Sequence, residues 1–406
     1  MRGGRRSCHG GLVFSPPNPG LPVSAHSVLD VVPQLAGQSA AAALRETIEV
    51  AQAADDLGYR RFWVAEHHGV RGIGSAAPAV LAAVLAARTD RIRLGSGGVT
   101  LANHQPLVIA EEFAALAAAY PGRIDLGVCK APLGVASNAA AALSTAAALG
   151  TATVLRTAGI STTGLGAAGL GSAGGLGRMY EGGREGFPQR LNELCGFLRD
   201  GLPGRVPVGD VRLALAGLPP PVFVIAANSH EAQVAAVRGL PVFLSHHTAP
   251  QTTLAAAAAY RDSFEPTGPT GKPYLAVTVG VVAANTDEEA VVRLAEYVRV
   301  RLRLDMASPR ATAAELLDLL EPPLTTRERH KAERLLDDPG HVVGSRAAVA
   351  SSLASLAAST GADEIMLVPL AFDGLIRSAI LRTVAAGLSR AVRTVARPAP
   401  HCVATA

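Results

Sequence analysis

The chain has 406 residues, of which 49% are hydrophobic and 17% charged, and a formal net charge of +4. That composition excludes a disordered chain, and the length allows one large barrel or two ordinary domains. Basic residues cluster only in "RGGRR" and "RAVRTVAR", so no basic-aromatic stripe argues for nucleic acid, and the uncharged tract from Ala131 is too Ala-rich and polar for a membrane span.

Residues 1–25 carry a twin arginine, Arg5-Arg6, but Gly10, Gly11, Pro16, Pro17 and Pro19 interrupt the segment after it. No run of signal-peptide length is present there, and the segment is expected to be a disordered extension or to precede the true start. From Ser27 short apolar runs alternate with longer amphipathic ones. "SVLDVVP" reads as a strand. "AALRETIEVAQAADDLG" reads as a helix, with Leu44, Ile48, Ala51 and Leu57 at helical spacing and Gly58 as its stop. "YRRFWVAEHH", "RIRLGSGGVTL" and "RIDLGVC" are the next strands, separated by helices at "APAVLAAVLAARTD" and "PLVIAEEFAALAAAYPG".

The tract 131–186 interrupts this rhythm. Its first half could form an Ala-rich helix, but its second half has Gly too often to hold a packed element. It is expected to be a long low-complexity insertion shaping the rim after strand four. "GFPQRLNELCGFLRDGLPG" resumes with an amphipathic helix. Strands then come at "PVFVIAA", "LPVFLS", "YLAVTVGVVAA" and "EIMLVP", with helices at "SHEAQVAAVRG" and "DEEAVVRLAEYVRVRLRL". Eight buried strands alternating with helices predict an α/β fold, a (β/α)₈ TIM barrel over 26–390, with a tail at 391–406. A doubly wound sheet fits less well, because no Gly-x-Gly-x-x-Gly comes after the first strand. Four cysteines without Cys-x-x-Cys spacing suggest a reducing, cytoplasmic setting.

In such a barrel the chemistry sits at the carboxyl ends of the strands. There the sequence places Asp30, Glu66-His67-His68, Asn103-His104, Cys129-Lys130, Asn228-Ser229-His230 and His246-His247. Six of the 11 histidines fall at these exits, where imidazole can donate or accept protons near neutrality. A zinc site from His67 and His68 is not expected, since adjacent strand residues face opposite ways. Cys129 beside Lys130 is expected to have some thiolate character. Cys195 reads as core, and no metal site is expected.

The motifs "GYRRFWVAEHHGV", "RIRLGSGGVTLANHQPLVIAEEFAALAAAYPGRIDLGVCKAP", "FPQRLNEL" and "ANSHEAQVAAVRGLPVFLSHH" resemble the bacterial luciferase-like monooxygenases. The resemblance spans about Ser27 to Leu381, interrupted by the Gly-rich tract. It implies a luciferase-like barrel that takes reduced FMN from a separate flavin reductase and uses O₂ on a small organic substrate. It also implies a homodimer or heterodimer. By that resemblance His67, His68 and His104 are the candidate catalytic residues, and Glu66, Asn103, Lys130, Asn228, Ser229 and His246 the candidate cofactor contacts. Lys130 stands where luciferase has a phosphate-binding arginine, which loses the bidentate fork. Glu231 stands where luciferase has a hydroxyl residue, and its carboxylate would repel phosphate unless it caps its own helix. The compositional bias hints at a secondary-metabolite substrate such as an aromatic polyketide. The rivals are a deazaflavin-dependent oxidoreductase on the same barrel and a non-catalytic partner subunit.

Overall fold

A computed structural model describes residues 25–130, 186–200, 219–267, 271–306, 325–326, 330, 333–334 and 337–395. The expected extension at 1–25, the insertion at 131–186 and the tail at 391–406 lie largely outside these residues. Nine strands are present among them: β1 Ala25–Asp30, β2 Arg61–Val64, β3 Arg93–Thr100, β4 Ile124–Cys129, β5 Val222–Ala226, β6 Val242–Leu244, β7 Leu275–Ala284, β8 His341–Ser345 and β9 Glu364–Pro369. All pair in parallel. Strands β1 to β7 and β9 close a ring through the β6–β7 and β9–β1 pairings, which makes the eight-stranded barrel.

The strand that the sequence pattern does not mark is β8. It pairs with Gly280–Ala284 of β7, whereas β6 pairs with Leu275–Val277 and β9 with Ala276–Val281. Gly280 and Val281 therefore have β8 on one edge and β9 on the other. The short β8 takes over the edge of β7 that β6 has left. This lengthens the barrel wall locally and brings His341 to the carboxyl end.

Each helix starts where its residues dictate. Ser39 caps α1, Ala40–Asp56, accepting from the Ala42 amide at 3.2 Å. Pro78 and Pro106 open α2, Pro78–Ala86, and α3, Pro106–Ala119, at the position where a missing N–H costs nothing. The remaining helices are α4 Phe187–Asp200, α5 Ser229–Ala236, α6 Thr253–Asp262, α7 Asp287–Met306, α8 Arg346–Thr360 and α9 Gly374–Val395. No helix among the described residues is long and apolar enough to cross a membrane.

Strand alternation sorts the residues into two cores. Phe62, Val64, Val222, Val224 and Ala226 face the helices. Trp63, Phe223, Ile225, Phe243 and Met366 face the barrel axis. Inside, the amino end is charged: Arg61 bonds Asp125 at 2.8 Å and Glu364 at 3.1 Å, all fully buried. Above lies an aromatic layer, with Trp63 4.5 Å from Phe243 and 5.2 Å from Phe223 by ring centroids. The Arg61 guanidinium sits 4.8 Å from the Phe223 centroid, a cation–π contact joining the two layers. The next layer up is built from small residues, Ala65, Gly97, Gly98, Cys129, Ser245 and Thr278. That shift from large to small side chains leaves a cavity where the strands end.

Candidate active site

The cavity measures about 280 Å³ at the carboxyl end of the barrel, near the lower bound for small-molecule pockets. Trp63 forms part of its floor. Leu29, Val31, Met366, Val368 and Phe372 form an apolar wall, and His67, His247, His341 and Arg301 bring polar groups to it. A side chain at Gly97 would meet Leu29 Cδ1 at 2.6 Å, and one at Gly98 would meet Ile225 Cγ1 at 2.9 Å. Glycine at both positions keeps this part of the wall free of side chains.

The Glu66-His67-His68 run divides its work. His67 lines the cavity, with its amide held by the Ser75 carbonyl at 2.8 Å. Burial and the neighbouring Arg301 lower its pKa below the ordinary histidine value, so it is neutral at pH 7. Glu66 is a buried hub. Its Oε1 accepts from His68 at 2.7 Å and from Asn103 and His104 at 3.0 Å; its Oε2 accepts from the Thr100 amide at 3.0 Å. Burial alone would raise the carboxyl pKa, but these donors outweigh it and hold Glu66 below its usual value. In return the hydrogen bond to Glu66 raises His104 above the ordinary value.

His68, Asn103 and His104 thus meet at Glu66 and are not among the cavity residues. Glu66, His68 and His104 also offer ligand atoms within 4.8 Å of one another, the one such cluster among the described residues. Each of the two histidines bonds the Glu66 carboxylate through Nε2. Arg190 of α4 supports this corner, donating to the Leu101 carbonyl at 3.2 Å and the His104 carbonyl at 2.9 Å.

Lys130 is half-buried directly after β4. Asn228 is the N-cap of α5, accepting from the Glu231 amide at 3.0 Å, and the Glu231 carboxylate accepts from the Ala227 amide at 2.9 Å. The arrangement resembles a capping box reaching one residue further back, to the amide before the N-cap, and it turns the Glu231 side chain onto the start of its own helix. Ser229 is the first residue of α5, where amides lack intrahelical acceptors.

The expectation of thiolate character at Cys129 does not hold. Burial pushes its thiol up to about 12, and its neighbours are Thr100 Oγ1 at 3.6 Å and the Gly98 carbonyl at 3.8 Å. At neutral pH it is a small apolar wall residue.

Of the His246-His247 pair, His247 lines the cavity. His246 turns outward, bonding Thr253 Oγ1 at 2.9 Å and the Pro339 carbonyl at 3.1 Å. Sequence reasoning misses Arg301, Tyr297 and His341. Arg301 and Tyr297 lie four residues apart on α7, one turn on the same face. Inspecting strand exits cannot find residues on a helix. His341 opens β8, which has no clear sequence signal.

A closed (β/α)₈ barrel with a histidine-lined apolar cavity at its carboxyl end defines a barrel enzyme whose chemistry is built at that rim. Comparison with known proteins gives its family. Residues 26–144 and 187–364 match the family described as luciferase-like monooxygenase, and the chain belongs to that family. It is 34% identical over 353 residues to an Escherichia coli (strain K12) luciferase-like monooxygenase, covering 86% of this chain and 92% of that one. It is 31% identical to the N-acetyl-S-alkylcysteine monooxygenase of Bacillus subtilis (strain 168), covering 79% and 85%. Among solved structures, apo-MsnO8 is similar with a TM-score of 0.67 and 30% identity, over 90% of this chain and 97% of that one. The family and these relatives support an oxidoreductase activity for the chain.

Proposed function

We propose that the chain is a two-component flavin monooxygenase, which uses reduced FMN and O₂ to oxygenate a small organic substrate. The observation that carries this reading is the cavity itself: apolar, floored by Trp63, walled by Gly97–Gly98, with neutral His67 at its side. A flat, largely apolar ring system suits such walls. When bound, the reduced flavin supplies two electrons, so that one atom of O₂ enters the substrate and the other leaves as water.

The chain's own residues bind, orient and manage protons. His67, neutral at pH 7, can donate or accept a proton at the cavity wall. Glu66 fixes the exits of β2 and β3 around it by gathering His68, Asn103, His104 and the Thr100 amide. The buried apolar wall keeps water from the reacting groups. Lys130 supplies a cation, and the first turn of α5 around Ser229 supplies free amides, for the FMN phosphate. Asn228 acts there through its cap, and His246 through the turn it fastens. Glu231 opposes phosphate by its charge. A separate flavin reductase and a second subunit, of the same or a different chain, belong to this reading.

Two substitutions test the phosphate arrangement. Lys130→Ala should weaken FMN binding about tenfold. Glu231→Gln keeps a hydrogen-bonding cap while removing the charge, and should tighten FMN binding roughly threefold. Riboflavin, which lacks the phosphate, should bind both variants and the unaltered chain alike. Titration calorimetry reads all three, and equal effects on riboflavin would move the phosphate elsewhere.

Turnover tests the whole reading. With FMN, NADH and a flavin reductase, the chain should couple O₂ uptake to oxygenation of an N-acetyl-S-alkylcysteine or another small sulfide. His67→Ala should divert most of that O₂ to hydrogen peroxide. Uptake that stays fully coupled in the variant would remove His67 from the chemistry.

A further inference from the structure

Glu66, His68 and His104 are the one group of three His, Cys, Asp or Glu side chains among the described residues whose ligand atoms converge, all within 4.8 Å of one another. Both histidines aim Nε2 at the same carboxylate. His68 lies 2.7 Å from Oε1, and His104 lies 3.0 Å from each oxygen. The ligand atoms come from two strand exits, Glu66 and His68 after β2 and His104 after β3. Glu66 is buried, His104 half-buried and His68 exposed, so an ion can reach the group from solvent. The carboxylate also has the outer partners that orient a ligating group: the Thr100 amide donates to Oε2 and Asn103 Nδ2 to Oε1, each at 3.0 Å. Arg190 donates to the His104 carbonyl at 2.9 Å and so fixes the loop that carries the second histidine. Glu112 on α3 adds negative charge near His104.

We propose that this corner binds a divalent transition ion of the zinc type, held by the Glu66 carboxylate and by Nε2 of His68 and His104, with a solvent molecule in the fourth position. Two imidazoles and a carboxylate with one open position form a donor set that zinc takes in tetrahedral geometry. Donor atoms around such an ion lie about 3.3 Å apart, given bonds of about 2.0–2.1 Å. The histidine–carboxylate contacts need to open by only a few tenths of an ångström, and the exposed His68 has room to swing toward His104. Coordination takes the nitrogen lone pair, so a proton now shared from Nε2 with Glu66 moves to Nδ1 or to solvent. The expectation of no metal rests on His67 and His68, which face apart as neighbours; the ligands here are His68 and a histidine from the next strand exit. The ion ties the exits of β2 and β3 together beside the cavity that Glu66 lines. It binds without the flavin, so the site stands apart from the flavin reading.

The probe is Co²⁺, whose four-coordinate complexes absorb visible light far more strongly than six-coordinate ones. Titrated into the full chain, free of any histidine tag and of flavin, it should give an intense visible band that saturates at one ion per chain and is lost when Zn²⁺ is added. His68→Ala and His104→Ala should each weaken Zn²⁺ binding about a hundredfold in calorimetry, at the upper end of what losing an outer partner alone costs. His330→Ala, at an exposed histidine beside Glu333, should leave Zn²⁺ binding unchanged. His68→Ala removes an exposed side chain and should keep the circular dichroism of the unaltered chain, so its loss of binding is not a loss of fold. No binding of either ion, a weak six-coordinate Co²⁺ spectrum, or Zn²⁺ affinity unchanged in either ligand variant would each overturn the proposal. A chain that takes the ion as described but no FMN defeats the flavin reading alone.

Discussion

Glu66→Ala should lower turnover roughly a hundredfold, the cost of misplacing reacting groups by about an ångström. The carboxylate holds His68, Asn103, His104 and the Thr100 amide at 2.7–3.0 Å. Removing it leaves the buried Thr100 amide without an acceptor and frees two histidines beside the His67 exit. The orphaned amide alone should cost about 1–3 kcal/mol of stability. Two readouts separate this positioning role from a general loss of fold. In NMR titration, the His104 pKa should fall in the variant, since the hydrogen bond to Glu66 is the largest cause of its being raised. Glu66→Gln, which keeps one acceptor oxygen, should recover part of the turnover. The sign of the pH effect is set by the histidine: a raised histidine contributes stability that is complete below its unfolded pKa and is lost as pH rises through the folded value. The difference in stability between the unaltered chain and Glu66→Ala should therefore shrink above neutrality.

Arg61→Met should be strongly destabilising, about 3–5 kcal/mol, because it removes the cation shared by two fully buried carboxylates. Arg61 joins Asp125 and Glu364, and Arg93 reaches Asp125 from the other side at 2.5 Å. Ser27 and Tyr274 also donate to Glu364. Burial would raise the Asp125 pKa, but Arg61 and Arg93 outweigh it and hold the group below its usual value. A depressed carboxylate contributes stability that is fully present above its unfolded pKa, about 3.9, and is lost as pH falls through the folded value. The unaltered chain should accordingly lose stability steeply below pH about 4. The triple change Arg61→Met, Asp125→Asn, Glu364→Gln should recover part of what the single change loses, since no buried carboxylate is then left short of a cation and the part-exposed Arg93 can still bond the amide oxygen placed at position 125. Urea midpoints measure all of these. The same cation supports the cavity floor through its contacts with Phe223 and Trp63, so flavin affinity should fall with stability in Arg61→Met.

The eight barrel strands are legible in the sequence because each is a nearly continuous apolar run between helical patterns, as parallel strands buried on both faces must be. β8 is not, for a physical reason. "HVVGS" is five residues long, mostly half-buried, and pairs only with the far half of β7. It carries neither a long apolar run nor a clean alternation. At the site, the strand-exit rule finds Glu66, His67, Asn103 and His104, but not the hub that makes His68, Asn103 and His104 partners of Glu66. That hub joins side chains beyond the ends of β2 and β3 to the Thr100 amide at the last residue of β3, contacts that depend on how the chain turns after each strand. Parity beyond a strand end is equally unreadable. His246 and His247 come after the last residue of β6, Leu244, and only the turn decides that His247 faces inward. Cys129 shows the opposite failure: its neighbour Lys130 suggests a thiolate, while burial, invisible in sequence, sets its protonation. Glu231 turns back onto the start of its own helix, the alternative to repelling phosphate that the sequence leaves open, by accepting from the Ala227 amide.

That this cavity takes reduced FMN is tested most directly by Trp63 fluorescence under anaerobic titration, with reduced FMN, reduced riboflavin and reduced deazaflavin F420 compared on the same protein. Saturable quenching by reduced FMN is expected, about tenfold tighter than by riboflavin under the proposed hold of Lys130 and the α5 amides on the phosphate, with O₂ uptake once air is admitted. No response to reduced FMN, or tighter binding of F420 with no O₂ uptake, would contradict it.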